Sequence, residues 1–134
     1  MHWITSTLFA VTALAGVTAH AMTGESVDAK FRGTWVPASA ACTSPLKLVT
    51  EANKVTFVNG AQRAEYSRLE QCFTCMGRDV ENVTLLSTDA MGDSPFQIYL
   101  DTSKKKAAVR TDFSNDKQLG ARFPFSAESA CQPR

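Results

Sequence analysis

Hydrophobic and polar residues alternate with a period of two along most of the chain after residue 30. The alternating segments are rich in β-branched and aromatic residues and lie at 31–36, 46–50, 55–58, 61–69, 83–85, 96–101 and 109–113. A period of two is typical of strands with one buried and one solvent-facing side, which antiparallel sheets allow. Because no stretch of a dozen residues shows a 3.6-residue period, we expect helices to be limited to short turns. The pattern therefore predicts an all-β domain.

Turn signals indicate how these strands are connected. Asn59-Gly60 predicts a hairpin, because both central residues of a type I′ turn have positive φ. A second tight connection is expected from Asp101 to Lys104. Short strands leave sheet edges exposed unless the sheet closes on itself or nearly does so. We therefore expect a small antiparallel up-and-down barrel or a strongly curled sheet of six to seven strands, stapled by disulfides.

A short motif in the first of these segments has a counterpart in a known family. Gly33-Thr34-Trp35 resembles the Gly-x-Trp that opens the first strand of lipocalin-like and related small β-barrels. The resemblance implies a small β-barrel, and a buried tryptophan that closes the bottom of any barrel is the alternative explanation of the motif. Since the chain is shorter than a full lipocalin, we do not expect a roomy internal ligand cavity.

The first 21 residues are interpreted as a secretory signal peptide that is cleaved. The run from Ile4 to Val17 is apolar and uncharged, and Ala19-His20-Ala21 has the small-x-small form of a cleavage site. The run is shorter than the ~20 apolar residues that a membrane span needs. We therefore expect a soluble secreted or periplasmic protein with no stable membrane anchor. The expected layout is a signal peptide over 1–21, a loose arm over 22–30, a single β-domain over 31–131 and a frayed end over 132–134.

Removal of the signal peptide would take away both histidines, His2 and His20. A serine or cysteine nucleophile would then lack its usual imidazole base, so we do not expect an enzyme or a cofactor. The net charge of +1 is spread along the chain and forms no basic stripe, so no nucleic-acid partner is expected. We interpret Lys104-Lys105-Lys106 as a solvated turn. An enzymatic alternative would use the Cys-x-x-Cys motif or a carboxylate pair drawn from Glu65, Glu70, Asp89, Asp93, Asp112 and Asp116.

Four cysteines, Cys42, Cys72, Cys75 and Cys131, carry the most specific chemistry of the chain. In an oxidising compartment they predict a disulfide framework with three possible pairings. A Cys72–Cys75 bridge would contribute about 2 kcal/mol and longer bridges to Cys42 and Cys131 roughly 4 kcal/mol each, which favours the longer bridges. A redox Cys-x-x-Cys is the alternative. No metal is expected, because Cys42 and Cys131 have no close second ligand.

Surface recognition of another protein is the function that these observations favour. We expect the interface on loops beside the cysteine pair and over 89–96, because loops on a rigid scaffold commonly carry binding sites. Exposed Phe, Met and Arg are enriched in interface cores. The candidate interface residues are Phe73, Met76, Arg78, Met91, Asp93 and Phe96. For Phe73 and Phe96, burial in the core is the alternative.

The most concrete prediction is an inhibitor or immunity protein that neutralises an envelope-targeted, cell-wall-degrading enzyme such as a lysozyme or a peptidoglycan amidase. Small exported sheets stapled by cysteines look like periplasmic lysozyme inhibitors, although this chain has no clear Ser-Gly-x-x-Tyr loop. The alternatives are a small barrel that carries an apolar ligand and the enzyme described above.

Overall fold

A computed structural model of the protein describes residues 26–37, 40, 42–76, 81–89, 91–103, 105 and 107–125. Within these residues the secondary structure consists almost entirely of strands. The strands are β1 (Gly33–Trp35), β2 (Leu46–Thr50), β3 (Lys54–Asn59), β4 (Gln62–Ser67), β5 (Leu69–Cys72), β6 (Val83–Thr88), β7 (Gln97–Asp101) and β8 (Ala108–Asp112). The helical elements are two 3-10 helices, Ala29–Phe31 and Thr74–Met76, and one short α-helix, α1 (Lys117–Arg122).

The eight strands form two antiparallel sheets of four strands each. The first sheet has the order β1-β2-β3-β4 and the second the order β5-β6-β7-β8, so strands adjacent in sequence are adjacent in each sheet. In the described part of the chain neither sheet closes into a barrel. The prediction of an all-β antiparallel fold is confirmed. The predictions of a barrel and of six to seven strands are wrong, because the segment 61–69 is divided between the two sheets.

The chain leaves the first sheet and enters the second at Arg68, which lies between β4 and β5. Its φ of 54° is in the left-handed region, which costs an L-residue roughly 1–2 kcal/mol. Before this residue the chain pairs with β3, and after it the chain pairs with β6. The Arg68 guanidinium lies 3.3 Å from the Asp89 carboxylate at the end of β6. This one backbone conformation therefore moves the chain from the first sheet to the second.

The hairpin between β3 and β4 differs in detail from its prediction. Asn59 pairs with Gln62, so the two-residue loop is Gly60-Ala61 and not Asn59-Gly60. Gly60 has a φ of 61°, whereas Arg68 is the only described non-glycine residue with positive φ. The hairpin is present, but the predicted type I′ turn is wrong. A glycine at the first central position alone is the arrangement of a type II′ turn.

Both sheets contribute to one hydrophobic core with Phe57 of β3 among its aromatic rings. The Phe57 ring centroid lies 5.2 Å from that of Phe96, 5.3 Å from that of Phe113 and 5.9 Å from that of Phe123. These partners follow β6, β8 and α1 in the chain, so the ring cluster joins the two halves. Further fully buried members of the core are Trp35, Leu48, Val55, Leu86, Ile98 and Leu100.

The tryptophan of the Gly-x-Trp motif is held by a buried hydrogen-bond relay. Trp35 Nε1 donates to Thr50 Oγ1 at 3.0 Å, and Thr50 Oγ1 donates to the Phe31 carbonyl at 2.6 Å. Trp35 and Phe31 are fully buried and Thr50 nearly so. Because buried polar groups need hydrogen-bond partners, this relay allows the indole N–H to lie in the core without being an unsatisfied donor.

The chain before β1 is packed on the domain from Val27 onward. Val27 is buried in the core, its N–H donates to the Ala52 carbonyl at 2.7 Å, and its own carbonyl accepts from Arg32 Nε at 2.7 Å. This part of the segment 22–30 is therefore not the loose arm that we expected. Residues 1–25 and 126–134, which include the predicted signal peptide and frayed end, lie outside the described residues.

Candidate functional site

Among the predicted interface residues that the structure describes, the two phenylalanines point towards the core. Phe73 is partly buried and packs against the core, and Phe96 is 1% exposed. Phe96 is therefore a core residue and Phe73 packs against the core, which was the alternative to an interface role for both. In the β6–β7 connection Met91 is half-buried and Asp93 is exposed. Met76 is the last residue of the second 3-10 helix, and Arg78 lies outside the described residues.

The cysteine pair of the Cys-x-x-Cys motif is closed on itself. Cys72 is disulfide-bonded to Cys75, and their Cα atoms are 5.5 Å apart. The favoured long-range pairing of these two residues is wrong, because the chain turns from β5 directly into the 3-10 helix Thr74–Met76 and brings Cys75 to Cys72. Local geometry, which must meet narrow distance limits, outweighs the entropic preference for long loops. Cys42 is also disulfide-bonded, and Cys131 lies outside the described residues.

The side of the second sheet that faces away from the core is here called the outer face. The register places four residues in one row across it: Cys72, Leu85, Tyr99 and Arg110. Their sequence neighbours Leu86, Ile98, Leu100 and Val109 belong to the core, and successive residues of a strand point to opposite sides. Leu85 is only 5% exposed although it lies on the outer face, whereas Arg110 is exposed.

Tyr99 and Arg110 form a stacked pair on the outer face. The guanidinium carbon of Arg110 lies 4.3 Å from the centroid of the Tyr99 ring. The Tyr99 hydroxyl donates to Gln97 Oε1 at 2.7 Å, which fixes the ring from its other end. Such a cation–π contact contributes about 0.5–1 kcal/mol at exposed sites. The guanidinium thus lies over an aromatic ring, and a guanidinium in this position can offer its planar set of N–H donors to a carboxylate.

A polar surface cleft lies at the end of the second sheet where β7 begins and β8 ends, between the β6–β7 connection and the turn from β8 to α1. Its volume is about 190 Å³. The cross-strand neighbours Gln97 and Asp112 form part of its wall. The full lining is Gly92, Ser94, Phe96, Gln97, Asp112, Ser114 and Asn115.

Asp112 gives the cleft a negative charge. Its Oδ1 accepts from the Ser114 hydroxyl and from the Ser114 backbone N–H, the latter at 2.8 Å. The Ser114 hydroxyl is the largest cause that holds the pKa of Asp112 below its ordinary value, followed by the Ser114 N–H, with a smaller contribution from the Arg110 charge. The carboxylate is therefore ionised at neutral pH and lies two residues from the Arg110 cation.

Hydrogen bonds fix the two loops that border the cleft. Asn115 Nδ2 donates to the carbonyls of Gly92 and Ser94, both at 3.0 Å. The buried Ser94 hydroxyl donates to the Phe96 carbonyl at 2.5 Å and accepts from Thr88 N–H at 3.0 Å. The β6–β7 connection is thus tied both to itself and to the turn before α1. A site built on such fixed loops is preorganised.

Several carboxylates considered for catalysis have local structural partners. Glu65 forms ion pairs with Arg63 and Lys54. The hydrogen bond from Arg63 and, next in size, the charge of Lys54 lower the pKa of Glu65. Asp89 pairs with Arg68, and Asp116 Oδ1 accepts from Leu119 N–H at 2.8 Å as the N-cap of α1. These side chains are therefore engaged in local contacts on a strand, after a strand and at a helix end.

Among the residues that the structure describes, no group of three or more His, Cys, Asp or Glu side chains is arranged to hold a metal ion. No helix in the described part of the chain combines the length and the apolar character needed to cross a membrane.

No protein-family model, no curated protein and no solved structure matches this chain. Its function is therefore inferred from the surface that its own residues form.

Proposed function

We propose that the protein is an exported binding protein that recognises another protein through the outer face of its second sheet. The observation that carries this proposal is the stacked pair of Tyr99 and Arg110 beside the polar cleft. Tyr and Arg are among the residues that most often dominate binding energy in protein interfaces. Because the two side chains are already held by each other and by Gln97, less conformational entropy would be lost when a partner binds.

The charges of this surface limit the partners that can bind to it. Arg110 is cationic and exposed, and Asp112 is anionic and lines the cleft. A partner that fits must place an acceptor against the guanidinium and a donor against the carboxylate in the matching order. Such complementarity contributes more to specificity and association rate than to affinity.

The most concrete form of the proposal is an inhibitor or immunity protein for an envelope-targeted enzyme such as a lysozyme or a peptidoglycan amidase. The interpretation of residues 1–21 as a signal peptide and the disulfide-bonded state of Cys42, Cys72 and Cys75 support an oxidising, secreted or periplasmic location. Glycosidases carry paired carboxylates in their active-site clefts, and a fixed guanidinium is suited to bind such a group in a bidentate manner.

The alternative of a carrier for an apolar ligand has less support. The place that such a ligand would occupy is filled by the fully buried side chains of Trp35, Phe57, Ile98 and Leu100. The cleft described above is lined mainly by polar residues and opens at the surface. A binding protein that acts by surface contact therefore fits these observations better.

A capture experiment tests the proposal. The chain from Met22 onward would be immobilised, exposed to envelope extract and compared with the variants Tyr99→Ala and Gln62→Ala, the latter on the exposed side of β4. We expect the unchanged chain and Gln62→Ala to capture the same partner protein from the extract. Tyr99→Ala should fail to capture it. The purified partner, or a panel of lysozymes and amidases, is then assayed for inhibition. Retention by all three proteins, or by none, would count against this function.

A further inference from the structure

We propose that the Cys72–Cys75 bridge is a thiol–disulfide exchange site that a dithiol reductant opens by attack on Cys75, with Cys72 as the leaving group. The proposal does not depend on the identity of the protein partner discussed above. It rests on the different exposure of the two cysteine residues, on a hydroxyl beside one of the sulfur atoms, and on the contacts that hold the segment without the bridge.

The two cysteines differ in accessibility. Cys75 is exposed in the 3-10 helix Thr74–Met76, whereas Cys72 is half-buried at the end of β5, where it pairs with Leu85. Thiol–disulfide exchange requires the attacking thiolate to approach one of the two sulfur atoms, so access helps to decide which atom is attacked. The greater exposure of the Cys75 residue therefore favours attack on its sulfur atom rather than on that of Cys72.

A hydroxyl group lies beside the sulfur atom that would leave. Thr74 Oγ1 is 3.8 Å from Cys72 Sγ. Since a disulfide sulfur carries no proton, the Thr74 hydroxyl is the donor in this weak hydrogen bond. The same donor would stabilise negative charge on Cys72 Sγ when the bond breaks. A leaving thiol of lower pKa leaves faster, so this contact favours departure from Cys72.

Contacts other than the disulfide bond also hold the segment around the bridge on the fold. Phe73, between the two cysteines, packs against the hydrophobic core. The ladder between β5 and β6 extends through Cys72 itself, and Thr84 Oγ1 donates to the Cys72 carbonyl at 3.4 Å. The bridge closes a loop with a sequence separation of only 3. The bond can therefore open while the surrounding sheet remains folded.

The exchange proceeds in two balanced steps. A thiolate of the reductant attacks Cys75 Sγ, a mixed disulfide forms, and the electron pair of the broken bond goes to Cys72 Sγ, which takes a proton from water. The second thiol of the reductant then attacks its own sulfur in the mixed disulfide and releases the Cys75 thiolate, which is protonated in turn. The reductant loses two electrons and two protons and becomes a disulfide, and the cysteine pair gains them.

The first test locates the site of attack. The folded protein is treated with reduced glutathione, quenched with acid, alkylated and analysed by peptide mass spectrometry. We expect the glutathione adduct on Cys75 and the alkyl group on Cys72. We also expect the bridge to open in native buffer at a rate within about tenfold of its rate in denaturant. Equal adducts on both cysteines, or opening only in denaturant, would overturn the proposal.

Two further arms identify the reductant. Dithiothreitol serves as a small dithiol and a reduced thioredoxin as a protein dithiol. Complete reduction of Cys72 and Cys75 by either one, with an unchanged circular dichroism spectrum, supports the exchange site and indicates which source is used. Reduction by neither one contradicts it.

The variant Thr74→Val tests the role of the hydroxyl, and Thr34→Val on the first sheet is its control. We expect Thr74→Val to slow the opening severalfold without a change in thermal midpoint, and Thr34→Val to leave the rate unchanged. The variant Cys72→Ser/Cys75→Ser should remain folded, because Phe73 and the β5–β6 ladder still hold the segment. An unchanged rate in Thr74→Val would contradict the assignment of Cys72 as the stabilised leaving group, and loss of the fold in the double variant would show that the bridge has a structural role.

Discussion

The guanidinium carbon of Arg110 on β8 lies 4.3 Å from the ring centroid of Tyr99 on the neighbouring strand β7. Both side chains project from the side of the second sheet opposite to the core, while their sequence neighbours Leu100 and Val109 are buried within it. The two faces of this sheet therefore have different surroundings. The inner face holds the two halves of the domain together, and the outer face presents a fixed aromatic and charged surface.

The buried relay at Thr50 is expected to contribute measurably to stability. In Thr50→Val the indole N–H of Trp35 and the carbonyl of Phe31 both lose their partner. Leaving one buried polar group without a hydrogen bond costs about 1–3 kcal/mol, so for two such groups we expect a loss of unfolding free energy of at least about 2 kcal/mol. Urea denaturation measures the loss, with Thr34→Val as a control expected to change stability little. Equal stability of the two variants would contradict the relay.

The aromatic cluster around Phe57 should be the most sensitive part of the core. Phe57 is fully buried and lies against rings that belong to both halves of the chain. We expect Phe57→Ala to lower the free energy of unfolding by about 3–5 kcal/mol. Phe57→Leu, which keeps more of the volume, should lose less. Chemical denaturation of both variants tests this, and a loss below about 1 kcal/mol for Phe57→Ala would show that the two sheets are joined by other contacts.

The backbone at Arg68 offers a test of the connection between the sheets. A β-branched residue is more strained than arginine in the left-handed region, so Arg68→Val should be less stable than the unchanged protein, and less stable than a glycine variant by at least about 1–2 kcal/mol. Arg68→Gly adopts this conformation without strain and should be more stable than Arg68→Val. Both variants lose the exposed contact with Asp89, so their difference in thermal midpoint reports the backbone alone. The opposite order of stability would contradict a left-handed Arg68.

The hydrogen bonds at Asp112 predict an acid-dependent loss of stability. The pKa of this carboxyl is lowered from 3.8 in the folded protein, chiefly by the Ser114 hydroxyl. Because the folded value lies below the unfolded one, the ionised form stabilises the fold above the unfolded pKa, and the contribution is lost as pH falls through the folded pKa. Carboxyl-carbon NMR titration should give a midpoint below 3.8 for Asp112. In Ser114→Ala the midpoint should move upward, and an unchanged midpoint would exclude the Ser114 hydroxyl as the cause.

The strands with one solvent-facing side could be predicted from the sequence. In β7 the inward positions Ile98 and Leu100 alternate with polar neighbours, and both are fully buried. The central strand β6 is different, because all of Thr84, Leu85, Leu86 and Ser87 are buried. A strand covered on both sides has no period-two signal, so the pattern at 83–85 did not identify Leu86 as the core residue. The break at Arg68 was missed because arginine has no preference for positive φ that would mark a turn.

The candidate site could be predicted only in part. The 89–96 connection was identified from its loop composition, and Gly92, Ser94 and Phe96 from this connection line the cleft. The opposite wall, with Asp112 and Asn115, is more than fifteen residues away along the chain and is brought there by the register of β7 and β8. Likewise, the contact between Tyr99 and Arg110 depends on which residues face each other across two strands. Sequence alternation places residues on a face but does not give their cross-strand partners.

The most direct test of the proposed interface is the affinity of the captured partner for two arginine variants, measured by isothermal titration calorimetry. Arg110→Ala removes the guanidinium from Tyr99, whereas Arg63→Ala removes an exposed guanidinium from β4 on the other sheet. We expect Arg110→Ala to weaken binding at least about tenfold, as for a residue that dominates an interface, and Arg63→Ala to bind like the unchanged protein. Equal affinities for the two variants would contradict recognition through the outer face of the second sheet.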